Sequence, residues 1–266
     1  MTITLYPPAR PRTFKELLEA SLKIFRLSLP KCMPYATVAI VLGELSTLYD
    51  LSRNRMPNAH SVNDPVWLAL YVGGSLLFFV AWMALLLRQA TVAAGRPPDS
   101  REWLDSLRQA PAIIAISLLT SLLVALLIIP SLTLPEPYRS IGFGVMLVPA
   151  IYLSVALSLA LPARMLTGKS VTQSLYYSLH LIHGNWWRTA LLYIVAGAII
   201  ASAFVFAMLA TGLLFPHTAG HTSPEARAVT VAVVLAVAAM GLNFYTAMLL
   251  SVFSDLELRR YARGSS

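Results

Sequence analysis

The stretch 149–188, PAIYLSVALSLALPARMLTGKSVTQSLYYSLHLIHGNWWR, decides how the chain folds. An apolar run ends at Pro162 and Arg164. A short amphipathic segment follows, and Asn185, Trp186, Trp187 and Arg188 lead into the next apolar run. This order reads as a membrane span leaving the bilayer, a helix lying on its surface and a second span beginning.

The rest of the chain repeats the device. No charged side chain falls between Asp64 and Arg88, between Arg108 and Glu136, between Arg139 and Arg164, between Arg188 and Glu225, or between Arg227 and Asp255. Each run can supply the roughly 20 apolar residues that cross a hydrocarbon core of about 30 Å. A shorter run between Lys31 and Asp50 is interrupted by Glu44. Only 12% of the 266 residues are charged, about half the share of soluble domains. The spans must be helical, because a lipid-exposed backbone has to satisfy its own hydrogen bonds. The expected fold is an all-α polytopic membrane protein with six transmembrane helices, at 32–50, 66–90, 111–132, 141–162, 189–214 and 228–254. They form three hairpins, each preceded by a cytoplasmic amphipathic helix, at 13–28, 99–109 and 170–183.

Three start signals place those surface helices. Thr13 to Glu16 and Ser170 to Gln173 have the form of a capping box, and Asp99 to Glu102 resembles one. Phe14, Leu17, Leu18, Leu22 and Phe25 follow the first at helical spacing, which suits the membrane interface or another protein helix. Pro30 and Pro34 are expected to bend the chain into the first span. In the middle helix Trp103, Leu104 and Leu107 share one face. In the third, Val171, Leu175, Leu179 and Ile182 form the apolar line, flanked by Ser174 and Ser178. Counted from Thr13 and from Ser170, apolar or small residues recur at the same offsets, and Lys31 and Arg188 each follow by eighteen residues. The chain therefore divides into a mobile cytoplasmic arm, 1–12, and a single membrane domain, 13–266, with units 13–95, 99–164 and 170–263.

Charge sets the orientation. Of twenty Lys and Arg residues, only Arg53, Arg55, Arg139 and Arg227 fall on the side opposite the termini. The bias places both termini in the cytoplasm. The net charge of +8 suits anionic headgroups rather than nucleic acid. Lys15, Lys23, Arg26, Lys31, Arg88, Arg164, Lys169 and Arg188 are the candidate headgroup contacts, with Arg88 and Arg164 snorkelling from span exits. The N-terminus lacks an apolar h-region, so no cleavable signal peptide is expected. Cys32, the one cysteine, reads as a small buried residue.

The region from Pro149 through Ala160-Leu161-Pro162, the serine-rich 170–178 and Asn185 to Trp187 resembles YciC-like bacterial inner-membrane proteins. These are similar to the membrane domain ahead of some glycerophosphodiester phosphodiesterases. The resemblance implies a six-span envelope protein of the bacterial inner membrane, without the soluble phosphodiesterase domain and its activity.

Few residues suggest chemistry. Glu44 is ionisable within a span, which marks a functional candidate by default, although it lies close to Asp50 and the outer interface. Asn243 and Tyr245 suit an interhelical hydrogen bond, worth about 0.6 kcal/mol on average. Gly73, Gly74, Gly142, Gly144 and Gly197 suit close helix approach. His180 with His183, and His217 with His221, have metal-ligand spacing but no carboxylate or cysteine to complete a shell. No P-loop, Gly-x-Ser-x-Gly or His-Glu-x-x-His occurs. No enzyme, cofactor or metal is expected. The expected role is a non-catalytic protein that organises the envelope or accompanies a membrane complex, through a protein partner or a homo-oligomer. The alternative is a transporter or lipid-handling protein for a small or amphiphilic solute.

Overall fold

A computed structural model describes residues 6–8, 10–53, 63–97, 101–214 and 224–264. Within them the elements are all helices: α1 (Phe14–Gly43), α2 (Leu45–Ser52), α3 (Pro65–Ala93), α4 (Glu102–Arg108), α5 (Ala110–Leu132), α6 (Tyr138–Leu157), α7 (Ala160–Thr167), α8 (Val171–Ile182), α9 (Trp186–Leu214) and α10 (Pro224–Gly264). Five segments are long and apolar enough to cross a membrane: α3, α5, α6 continued by α7, α9 and most of α10. α1 and α2, bent by 62° at their junction, supply a sixth if taken as one span.

The inner half of α10 is the centre of the fold. Residues 246–256 are buried on every side, as expected of a helix that is apolar all round. α1, α3, α7, α8 and α9 all pack against α10. α1 lays a continuous buried line of Leu17, Ser21, Ile24, Ser28, Cys32, Ala36 and Ala39 into this core.

That line explains a departure from the sequence reading. α1 does not break at Pro30 and Pro34 but runs unbroken for 30 residues, about 45 Å. Both prolines are exposed, on the face opposite the buried line. A proline in a spanning helix is tolerated where its freed carbonyl is satisfied locally. At the matching place after α8 the chain does turn, because Gly184 adopts φ 80, in the left-handed region that favours glycine. The expected surface helix 13–28 is thus the first half of a longer helix. The two capping boxes are as read: Thr13 Oγ1 accepts from the Glu16 N–H, and Ser170 Oγ from the Gln173 N–H. Both helices then bury the residues four, seven, eight and eleven places on: Leu17, Ala20, Ser21 and Ile24 in one, Ser174, Tyr177, Ser178 and Leu181 in the other. Of the apolar line expected on α8, Ile182 is buried and Val171 and Leu175 pack against the core, while Leu179 departs from it. The serine face of α8 is buried, and Leu179 is exposed.

The middle unit differs. Asp99 lies outside the described residues, and α4 starts without a side-chain cap. α4 turns its polar side inward: Glu102 and Ser106 are buried, Ser106 donating to the Val80 carbonyl at 2.5 Å. Leu104 and Leu107 face outward. Trp103 stacks on Tyr35 of α1 at 5.2 Å.

In the stretch 149–188 the span does not end at Pro162. α6 stops at Leu157, the chain kinks at Ser158 and Leu159, and α7 continues to Thr167, where Gly168 ends it. The kink places Pro162 in the first turn of α7, where a helix does not use the missing N–H. It also frees backbone groups that α8 takes up. Ser178 Oγ donates to the Ala156 carbonyl at 2.7 Å and accepts the Leu159 N–H at 3.2 Å. Ser158 bonds the Tyr193 hydroxyl of α9 at 2.7 Å. Trp186 stacks on Tyr152 and donates to its carbonyl, while Trp187 stays exposed.

Elsewhere packing is looser. α5 and α6 pair with each other and expose Leu122, Leu126, Ile141 and Val148, as lipid-facing helices do. Gly74 is buried, and a Cβ there would collide with the Leu42 carbonyl oxygen beside the α1–α2 bend. A Cβ on Gly142 would meet Leu134, whereas Gly73, Gly144 and Gly197 face open space and mark no close approach. The described part of the N-terminal arm is not free. Tyr6 packs against Ile24, Ala93, Ala247 and Leu250, and Pro8 is buried.

Because the Ser178 hydroxyl serves both broken backbone groups, Ser178→Ala is expected to lower stability by about 1–3 kcal/mol. Ser202→Ala, on the exposed part of α9, should change it little. Thermal unfolding in detergent checks both; equal effects would contradict the joint.

Candidate functional site

The eight candidate cations do not form one surface. They separate by what their helices make them face. Lys15, Lys23, Arg26 and Lys31 lie on the outer side of α1 and are exposed. Lys15 is 4.0 Å from Glu19, a contact between two exposed side chains. Arg88, Arg164, Lys169 and Arg188 are instead taken into the protein.

Arg88 is drawn inward. Its guanidinium pairs with the buried Glu102 of α4 at 3.1 Å and lies 5.6 Å above the Tyr35 ring. The pair pins α4 against α3. Two charges this well covered cost desolvation, so the contact is worth most when intact, and losing one partner costs more than losing both. Arg164 donates from Nη1 to the Gly168 and Lys169 carbonyls, closing the α7–α8 turn.

Arg188 reaches the most enclosed carboxylate of the basic end, Asp255, which is 1% exposed. Asp255 Oδ2 lies 3.4 Å from Arg188 Nη2 and 2.8 Å from Arg259 Nε, and Oδ1 accepts the Arg12 N–H at 2.5 Å. Arg188 and Arg259 both donate to the Arg12 carbonyl. One carboxylate thus joins the start of α9, the end of α10 and the segment leading into α1.

Two clefts open between α8 and the end of α10. One, of about 340 Å³, is lined by Lys169, Gln173, Tyr176, Tyr177, His180 and Arg260. The other, of about 300 Å³, adjoins it through His180 and Arg260 and is also lined by His183. The ring of Tyr177 carries Lys169 Nζ at 4.5 Å and Arg260 Cζ at 4.7 Å from its centre. Its hydroxyl donates to Glu257 at 3.0 Å. Burial first, then the Glu257 charge and hydrogen bond, push that hydroxyl up to about 12, so it remains protonated at neutral pH.

Within the spans, Asn243 makes the interhelical hydrogen bond expected of it, and its partner is Gln89. Gln89 Nε2 donates to the Asn243 side chain, to the Asn243 carbonyl at 2.8 Å and to Ser28 at 3.2 Å, linking α3, α10 and α1. Thr246 accepts from Trp82 Nε1 at 2.9 Å. Tyr245 contributes its ring, packed against Trp82 and Tyr193. Glu44 is exposed at the α1–α2 bend, where its N–H bonds Ile40 and its carbonyl accepts from Leu48. The structure does not bring it near Asn243 or Tyr245. Cys32 is fully buried, in the small-residue role expected of it. No group of three metal-ligating side chains occurs among the described residues, and His217 with His221 lies outside them.

Sequence reasoning missed Gln89, Glu102, Asp255 and Tyr177. Two left a trace. Asp255 is the first charge after a long uncharged run, four residues before Arg259, and Gln89 is an amide directly beside Arg88.

Fold and site together define an all-helical protein with five or six candidate membrane-spanning helices, held at its basic end by buried ion pairs. Compared with known proteins, the chain matches no family model, no curated protein and no solved structure.

The division of the cations predicts a division of stability. Asp255→Asn should cost about 3 kcal/mol, because it removes the carboxylate that Arg188 and Arg259 share, and Arg188→Gln should cost less, because Arg259 and the Arg12 N–H still cover Asp255. Lys23→Gln, Arg26→Gln and Lys31→Gln should stay within about 0.5 kcal/mol of wild type. Unfolding midpoints of the purified chain check this; comparable losses in both sets would contradict the division.

Proposed function

We propose that the chain is a non-catalytic, multi-pass protein of the bacterial inner membrane that organises the envelope or accompanies a membrane complex, and that binds anionic lipid through a cytoplasmic basic end. On this reading six spans pair as three hairpins, with α1 and α2 as the first span, and both termini are cytoplasmic. One observation carries it. Lys23, Arg26 and Lys31 stand exposed on one face of α1, with no carboxylate within ion-pair distance among the described residues. Further along the same helix the exposed positions become Thr37 and Val38. A surface that passes from cations to the uncharged Pro34, Thr37 and Val38 over two turns suits the boundary between headgroups and hydrocarbon.

The charge bias between the two ends and the resemblance of 149–188 to YciC-like proteins support the same reading. The buried cations do not, since Arg88 and Arg188 are occupied by Glu102 and Asp255.

Each basic residue near an anionic leaflet contributes roughly 1 kcal/mol. Three such residues amount to roughly a 100-fold preference. Native mass spectrometry of the full chain is expected to show phosphatidylglycerol retained by wild type and largely lost from Lys23→Gln/Arg26→Gln/Lys31→Gln. Equal retention would overturn the lipid-binding reading.

A further inference from the structure

The α8–α10 cleft has a different character from the face of α1. Its two cations are not spread over a surface but brought together on one tyrosine ring, Lys169 at 4.5 Å and Arg260 at 4.7 Å from its centre. Both cations line one cleft, and among the described residues no carboxylate lines it with them. The neighbouring arginine, Arg259, is occupied by Asp255, and Glu257 accepts the Tyr177 hydroxyl.

The site is also held in place. Arg164 grips the Lys169 carbonyl, and Ser174 Oγ donates to it. Gly168, at φ 69, makes the turn that delivers Lys169 beside α8. Tyr177 is buried and tied to α10 through Glu257. Gln173 turns its Oε1 to the Ser170 N–H in the capping box, which leaves its amide N–H groups as donors on the cleft wall. His180 stacks on Tyr176 at the rim. The volume of about 340 Å³ lies within the usual range of small-molecule sites.

We propose that this cleft binds a single phosphate group, held between Lys169 and Arg260 with Gln173 as a neutral donor. Two cations lining one cleft match the charge of a phosphate, and Arg with Lys supplies both fork-shaped and point donors for its oxygens. The phosphate belongs to a lipid headgroup or to a soluble phosphate ester. The exposed Tyr176 and Leu179 beside the cleft offer apolar surface to either.

This site stands apart from the α1 face, so either can fail without the other. The test uses the full chain in nanodiscs of neutral lipid. Binding of inorganic phosphate and of glycerol 3-phosphate is measured by calorimetry, and retention of phosphatidic acid by native mass spectrometry. Lys169→Gln/Arg260→Gln should weaken binding at least tenfold. Gln173→Glu should do the same with unchanged thermal stability, because glutamate keeps the capping box while placing a negative charge on the cleft wall. Lys23→Gln/Arg26→Gln/Lys31→Gln should leave binding of the soluble probes intact, and phosphatidic acid retention is compared within that background, where the α1 face no longer contributes and the Lys169→Gln/Arg260→Gln change should still lower it. Binding of the soluble esters assigns a soluble ligand, and binding of phosphatidic acid alone assigns a lipid. No saturable binding of any probe, or equal binding by wild type and Gln173→Glu, would overturn the proposal.

Discussion

The basic end of this protein depends on one buried carboxylate. Asp255 sits at 1% exposure, with two guanidinium groups and a backbone N–H around it. Uncovered by any of them, it would be an unpaired charge in the packed interior, which is among the costliest defects a fold can carry. The need to satisfy it fixes where α9 begins, how α10 ends and where the chain enters α1. It also decides which cations remain available. Arg188 and Arg259 are committed to Asp255, whereas Lys23, Arg26 and Lys31 are left facing outward.

The same economy of polar groups operates at the joint between α6, α7 and α8. A kinked helix frees N–H and C=O groups that lipid cannot satisfy. The Ser178 hydroxyl can donate and accept at once, and it closes both gaps. That requirement gives a physical reason for a serine-rich helix beside an Ala-Leu-Pro segment. Ser174 and Ser178 are small enough to bring α8 against its neighbours, and Pro162 becomes harmless in the first turn of a new helix.

The sequence made some of this legible and hid the rest, for identifiable reasons. The capping boxes at Thr13 and Ser170 were readable because all their partners lie within three residues. The long apolar helices were readable because hydrocarbon forbids charge over some 20 residues. Reading failed where a contact joins distant segments. Arg88 looks like a snorkelling residue until α4 turns back and presents Glu102. Arg188 looks like a headgroup contact until Asp255 arrives on another helix. The prolines of α1 misled because they lie on the exposed face, while the buried line from Leu17 to Ala39 packs along the whole helix and keeps it continuous. On α8 the line of Val171, Leu175 and Ile182 was legible, but Leu179 looks like core in a hydropathy pattern and the buried serines beside it look polar.

The central claim is that the free cations of α1 mark the headgroup plane while the buried ones do not reach it. The most direct measurement is the immersion depth of spin labels in anionic bilayers. Single cysteines would replace Lys23, Leu27, Lys31 and Val38 in a Cys32→Ser background. The account expects the label at Lys23 to be relaxed by a water-soluble reagent, the label at Val38 by oxygen, and the crossover to fall between Leu27 and Lys31. A water-accessible Val38, or a Lys23 immersed in hydrocarbon, would contradict it.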